Sequence, residues 1–342
     1  MNSLYSSKEM QEIQFHVTNV QDLVNKTRVG VYINAYNERE NIANVVDSVL
    51  NQNIGENYEL EEIIIVVDGS TDGTDIIARR LAADNRLIKA WIFPKNLGKV
   101  ECFNRLIRHS KTSGIDIAVF PMADVLLGPD ALNSLLCVFE ERSVGGACGR
   151  VIVANNHKEL TGKLTHTIWG IHDAVLSAFP KLNGEFYAVR PKLLTKVPSY
   201  IPCEDIYIEV PLIRSGHRIS YVRNAIVFTR GPSSLNELFK QRVRCNLNSK
   251  VLNRFENYRI PTNNLQNLII AFTKIIAAEG WSSIMSLITC SFVENWAKLV
   301  SFVQYKKGRN PRKWERLGTT KCLINKKQLE AQTRVEKRKL YH

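Results

Sequence analysis

Ile63-Ile64-Ile65-Val66-Val67-Asp68-Gly69-Ser70-Thr71-Asp72-Gly73-Thr74 is the stretch whose reading decides the fold. Five β-branched residues run into an acid, a glycine and small hydroxyl residues, then into Asp-Gly-Thr. A short, wholly apolar run suits a strand buried on both faces of a parallel sheet. Gly69 and Gly73 let the backbone turn sharply where the strand ends, and Thr71 or Asp72 supplies a cap for the helix beyond. Ligands of open α/β sheets lie in the crevice outside the carboxyl ends of the strands. Asp68 is therefore placed to accept hydrogen bonds, as from a base N–H or a ribose hydroxyl. Taken alone, the stretch is also satisfied by a plain capped strand-to-helix turn.

The neighbouring segments repeat the pattern. Arg28–Ala35 reads as a strand that ends in Tyr36-Asn37-Glu38, and a helix follows with Ile42, Val45, Val46, Val49 and Leu50 at helical spacing. A strand near Leu87–Phe93 leads into Pro94-Lys95-Asn96-Leu97-Gly98-Lys99, which opens another helix. Ile115–Phe120 ends at Pro121-Met122-Ala123-Asp124-Val125. Alternating strands and helices predict an α/β fold with a mostly parallel central sheet and helices on both faces. Four successive strand ends carry Asn37 and Glu38, Asp68, Asn96 and Lys99, and Asp124, which would converge on one edge of the sheet.

These stretches resemble family 2 glycosyltransferases of the GT-A fold. The resemblance rests on Ala35–Glu38, Val67–Thr74, Asn96–Lys99 with Asn104, and Ala123–Leu132. It continues in Asn183-Gly184-Glu185-Phe186-Tyr187-Ala188-Val189-Arg190, in Cys203-Glu204-Asp205, and in Gln241-Arg242-Val243-Arg244. It covers roughly residues 28–250, in the family's order. It implies a nucleotide-sugar-binding set of Asn37, Glu38, Asp68, Lys99 and Asp124. Lys99 would lie toward the diphosphate, and a solvated helix-start lysine is the plainer reading of that residue. Asp124 falls in the family's Asp-x-Asp position, which implies a divalent cation, Mn2+ or Mg2+, held by hard oxygen ligands against the diphosphate. The first acid of that pair is here Met122. Asp205 falls in the position of the family's general base in inverting members, at the start of a helix carrying Ile206, Val210 and Ile213. A dipole-favoured acidic pair, Glu204-Asp205, is the alternative. Gln241 and Arg244, with Glu204, would approach the acceptor or the diphosphate. The family's Gln-x-x-Arg-Trp ends here in Cys245, which argues against processive polymer synthesis; an ordinary basic helix over Lys240–Arg244 remains open.

Composition agrees. The chain has 342 residues, 44% hydrophobic and 8% aromatic, enough for one large core with an appendage. Seven scattered cysteines form no Cys-x-x-Cys pair, which disfavours a zinc site or disulfide framework and points to a reducing compartment. Met1–Met10 has no apolar h-region, so no secretory signal is expected. Asn34–Glu38 contains no glycine, unlike the opening of a nucleotide-sugar pyrophosphorylase. No Gly-x-Gly-x-x-Gly follows the first strand, unlike a nicotinamide dehydrogenase. A non-catalytic nucleotide-sugar-binding protein stays open as the alternative, because of Met122 and Cys245.

The charge is uneven. Residues 305–342 hold thirteen of the 46 basic residues and three of the 33 acidic ones, a net +10 of the chain's +13. Positive charge confined to the tail disfavours nucleic acid as a partner. Before it, Leu265–Ala278 and Ile284–Val303 are apolar. The second is crossed by a polar stripe of Ser291, Glu294, Lys298, Ser301 and Tyr305. That stripe fits an interfacial or body-packed helix better than a spanning one. A basic run directly after an apolar helix predicts peripheral contact with an anionic membrane at its cytoplasmic face. The expected organisation is an N-terminal extension (1–27), a glycosyltransferase domain (28–255), amphipathic helices (256–304) and a basic tail (305–342). The domain divides into a nucleotide half (28–130) and an acceptor half (131–255). The expected partners are a nucleotide-sugar donor and a glycan or lipid-linked acceptor.

Overall fold

The computed structural model describes residues 26–308. The N-terminal extension and nearly all of the basic tail lie outside them. In chain order the elements are β1 (Thr27–Ala35), α1 (Ile42–Leu50), β2 (Tyr58–Asp68), α2 (Thr74–Asp84), β3 (Ile88–Phe93), α3 (Lys99–Thr112) and β4 (Ile117–Pro121). There follow β5 (Leu126–Leu127), α4 (Ala131–Cys137), β6 (Val144–Val153), α5 (Leu160–Leu176), β7 (Phe186–Val189), α6 (Glu204–Arg214) and β8 (Arg218–Thr229). Three helices finish the described chain: α7 (Leu235–Glu256), α8 (Leu265–Glu279) and α9 (Ser282–Lys306).

One eight-stranded sheet runs in the order β3-β2-β1-β4-β7-β6-β8-β5. β3, β2, β1 and β4 are mutually parallel, and β6 is parallel to β8. β7 runs antiparallel between β4 and β6, and β5 antiparallel on β8. The expected α/β architecture, a mostly parallel sheet with a C-terminal helical appendage, is what forms. The strand period of two sorts the apolar run onto both faces. Ile63, Ile65 and Val67 join Val29, Val31 and Ile33 in a core closed by α1 and α4. Ile64 and Val66 join Tyr32 in a second core closed by α3 and α6. Burial on both faces is why this strand reads as a continuous apolar run.

The polar stripe of α9 turns toward the body. Ser301 is fully buried, and Glu294 is bound by Arg242 of α7 at 2.7 and 3.2 Å. The Asn246 amide donates to Glu294 at 2.8 Å, and Arg254 donates to the Tyr305 hydroxyl at 3.1 Å. The stripe faces the body. Trp281, Met285, Ile288, Phe292, Trp296, Leu299 and Val303 stand exposed on the outer side, three or four residues apart. On α8, Leu265, Ile269 and Ile270 are exposed as well. Among the described residues, no helix is long and apolar enough to cross a membrane. On α6 the buried apolar positions are Ile208, Val210 and Leu212, while Ile213 is exposed.

Candidate active site

The site forms where the parallel strands end. After β1, Asn37 takes a left-handed conformation (φ 55°), which asparagine tolerates better than most residues. Its amide donates to the Ser70 hydroxyl at 3.0 Å, and its side-chain oxygen accepts from the Thr71 amide at 2.8 Å. The Glu38 amide donates to Thr74 Oγ1 at 2.9 Å, and the Asn41 side chain donates to Glu38 Oε2 at 3.0 Å. Asn37 and Glu38 thus bind the turn after β1 to the turn after β2. Asp72, not Thr71, caps α2, accepting the Thr74 amide at 3.0 Å.

Asp68 is buried, and both its oxygens are engaged within the fold. Oδ1 accepts from the Leu97 amide at 2.6 Å and Oδ2 from the Gly98 amide at 3.0 Å. Asp68 therefore anchors the loop that opens α3. Gly69 makes this possible. Its φ is +69°, and a Cβ there would lie 2.3 Å from the Asn96 backbone nitrogen. Asn104 exchanges two hydrogen bonds with Val197, at 2.9 and 2.8 Å, and so ties α3 to the segment before α6.

Lys99, the first residue of α3, is not a solvated helix-start lysine. Its ammonium meets Glu204 Oε1 at 2.8 Å. The Tyr187 hydroxyl donates to the same oxygen at 3.2 Å, and Glu204 Oε2 is buried with no hydrogen-bond partner. Burial by itself would lower the Lys99 pKa, but Glu204, with Cys203 and Asp205 behind it, holds it above the ordinary lysine value. Burial raises the Glu204 carboxyl, and Lys99 partly offsets that.

Asp205 lies beside this pair, 7% exposed. The Cys203 thiol donates to its Oδ1. Burial, then Asp205, pushes the Cys203 pKa well up, so it stays a thiol. A Cβ on Gly184 would come within 2.8 Å of Asp205 Oδ2, so only glycine leaves that oxygen its place. Cys203, Glu204 and Asp205 bring ligand atoms within 4.8 Å of one another. The Lys99 ammonium already serves that trio, and a protonated thiol is a poor metal ligand.

Asp124 and Glu185 form the other acidic pair. Burial raises the Asp124 carboxyl to about 6, with Lys99 pulling the other way. Burial, then the charge of Asp124, raises Glu185 to about 8. Both carboxylates are hard oxygen donors of the kind a divalent cation takes. Asn183 shapes the turn that presents Glu185: its side-chain oxygen accepts the Glu185 and Phe186 amides at 3.2 and 3.1 Å.

One cavity is lined by Lys99, Glu185, Asp205, Gln241 and Arg244, with Met122 and Cys245 on its wall. Asn37, Glu38, Asp68 and Asp124, expected on the nucleotide side, are not among the residues that line it. Arg242, between Gln241 and Arg244, is committed to Glu294. Three residues that the sequence reading did not assign also belong here. Glu185 stood inside a motif without a role. Trp169 and His172 of α5 line the same cavity, and their helix carries no motif that could have drawn attention. Burial, then Lys181 and Arg242, lowers the His172 pKa well below its ordinary value, and its buried Nδ1 has no hydrogen-bond partner.

A parallel sheet whose strand ends gather acids, a lysine and amide-rich turns into one crevice is the architecture of a GT-A glycosyltransferase. Residues 31–207, just over half of the chain, match the family model described as glycosyl transferase family 2, and the chain belongs to that family. It is 26% identical over 220 residues to the poly-beta-1,6-N-acetyl-D-glucosamine synthase of Staphylococcus aureus, covering 61% of this chain and 51% of that one. It is 24% identical over 238 residues to an N-acetylglucosaminyltransferase of Bradyrhizobium diazoefficiens, covering 63% of this chain and 47% of that one. The chain thus spans about half the length of the curated relatives it matches. Its fold resembles that of a mannosyltransferase from Pyrobaculum calidifontis solved with GDP-Man and Mn2+. The TM-score is 0.57 at 17% identity, over 83% of this chain and 88% of that one.

Proposed function

We propose that this glycosyltransferase moves a sugar from a nucleotide-sugar, read as a UDP-sugar, to a hydroxyl of a lipid-linked or membrane-near acceptor, one sugar at a time and with inversion. The observation that carries the reading is the meeting of Asp205, Lys99, Glu185, Gln241 and Arg244 in one cavity at the strands' carboxyl ends. In this reading residues 28–130 hold the nucleotide and 131–255 the acceptor. Asn37, Glu38 and Asp68 shape the nucleoside's crevice. Asp124 holds Mn2+ or Mg2+, which when bound neutralises charge on the departing diphosphate. Asp205 receives the acceptor's proton as its oxygen attacks, a single displacement that inverts the anomeric carbon. Lys99 binds Glu204 at 2.8 Å, which holds the start of α6 and hence Asp205 in place. Gln241 and Arg244 face the acceptor or the diphosphate. Cys245 offers no ring on which a growing polymer's sugar could stack, and this supports single addition; Trp169 supplies an aromatic surface to the same cavity.

The outer face of α9 supports a peripheral position on the cytoplasmic membrane surface. Two tryptophans and a phenylalanine stand on it, and the sequence after it is strongly basic. The donor is tested by thermal shift with UDP-, GDP- and dTDP-sugars, each with Mn2+, Mg2+ or chelator. A UDP-sugar with Mn2+ or Mg2+ should stabilise the protein most, and release of UDP should follow on adding acceptor lipid extract. Stabilisation by none of the nucleotide-sugars would defeat the reading.

A further inference from the structure

Met122 leaves the cation position one hard ligand short on its own strand. The neighbouring strand offers a replacement. β4 and β7 pair antiparallel, with Phe120 opposite Tyr187 and Pro121 opposite Phe186. The pairing runs one step further, because the Met122 amide donates to the Glu185 carbonyl at 2.9 Å. Opposite residues of an antiparallel pair present their side chains on the same face, with Cβ atoms about 4.5–5.5 Å apart. Met122 and Glu185 accordingly line the same cavity, together with Lys99 and Asp205. Asp124 follows two residues beyond Met122. A buried carboxylate already bound by the Lys99 ammonium lies alongside. Glu204, 2% exposed, lines the adjoining space with Met122 and Lys99, and its Oε2 accepts no hydrogen bond.

We propose that Glu185 is the second carboxylate of the divalent-cation site, acting with Asp124 from across the β4–β7 ladder in place of the acid that Met122 lacks. The proposal rests on the glycosyltransferase reading above. Two strands replace one as the source of the ligands. Glu185 stands opposite Met122, so its carboxylate starts beside the position that the first acid of an Asp-x-Asp pair would take, with Asp124 two residues further on. Mn2+ and Mg2+ take such oxygens and leave their other positions to diphosphate and water.

The test uses the full chain and reads Mn2+ binding in the presence of UDP from the paramagnetic resonance of free Mn2+. Glu185→Gln removes the charge with little change of shape. It should weaken Mn2+ binding by about tenfold or more while UDP affinity in chelator stays within about twofold, which also reports an intact fold. Glu185→Asp keeps the charge and draws it back by one methylene, so its affinity should fall between the two. Met122→Asp in the Glu185→Gln background should restore most of the loss. Wild-type Mn2+ affinity in Glu185→Gln, with loss in Asp124→Ala, would overturn the role of Glu185 and leave the glycosyltransferase reading standing. Unchanged Mn2+ affinity in both single variants would overturn the role of Glu185 and the metal assignment at Asp124 together.

Discussion

Asp205 carries a thiol donor on one oxygen and faces Gly184 with the other. A carboxylate so placed has one oxygen held by the thiol and the other beside Gly184, which lines the same cavity. Asp205→Asn keeps the shape and removes proton acceptance. It should retain donor binding and lower transfer by about 10²–10⁴-fold; transfer near the wild-type rate would show that the acceptor's proton goes elsewhere. Gly184→Ala should act as a weaker copy, lowering kcat with little change in donor affinity, because the added methyl displaces Asp205 rather than the nucleotide. The acidic pair makes a separate prediction. Glu185, at about 8, and Asp124, at about 6, keep protons in the folded chain that an unfolded chain has released above its ordinary carboxyl range. Where the folded state binds more protons, stability falls as pH rises. The melting temperature of the metal-free protein should therefore drop from pH 5 to pH 8, and Glu185→Gln should flatten the drop. Buried Glu209, raised to about 7, acts in the same sense and His172, held well below its ordinary value, in the opposite one, so the difference between wild type and variant is the quantity to read. Equal slopes in the two proteins would refute the raised Glu185. At this scale the sequence made Asp205 and Asp124 legible because they sit in local motifs. The Lys99–Glu204 pair and the Met122–Glu185 opposition join residues far apart in the chain, and no local pattern announces them.

Among the elements, β1, β2 and β4 were readable because each carries a run buried on both faces and therefore apolar, and on β2 a turn with glycine follows it. β7 was harder. It has four residues, runs against its neighbours and is followed by no long helix. α9 shows a different limit. Its periodicity separates a polar stripe from an apolar face, but periodicity does not say which face turns inward. Here the body offers a polar surface on α7, with Arg242, Asn246 and Arg254, so the polar stripe docks and the apolar face is left outside. The docking depends on the two-pronged Arg242–Glu294 pair, whose side chains are 17% and 25% exposed. Burial alone would raise the Glu294 carboxyl, yet Arg242 and Asn246 bring it below the usual range. Glu294→Ala would leave the Arg242 guanidinium half-buried without its partner, at a cost toward the low end of about 3–5 kcal/mol. Replacing both together, Arg242→Met with Glu294→Leu, should recover most of that loss. Urea unfolding measures both; a change under about 0.5 kcal/mol for Glu294→Ala would mean that the pair behaves as an ordinary surface contact.

For the whole molecule, the catalytic crevice and the outward face of α9 belong to one body, joined through α7, which lends Gln241 and Arg244 to the cavity and Arg242 to α9. A surface that held α9 would therefore also hold the cavity at a set distance from the acceptor. Contiguous exposed apolar residues on this scale mark interaction sites. Two terms should appear in binding to vesicles. The apolar face gives a salt-resistant part, and the net +10 of residues 305–342 gives a part worth about 1 kcal/mol per basic residue at an anionic surface, screened over a Debye length. The full chain should co-sediment with anionic vesicles, less so as salt rises, but not to zero. Substituting Phe292 and Trp296 with serine should remove the salt-resistant part, since neither side chain supports the core. Ending the chain at residue 308 should remove the salt-sensitive part and leave nucleotide binding intact. Equal binding to neutral and anionic vesicles would discount the basic segment. No binding to either would leave the apolar face to some other partner, and the acceptor would then have to reach the cavity from solution.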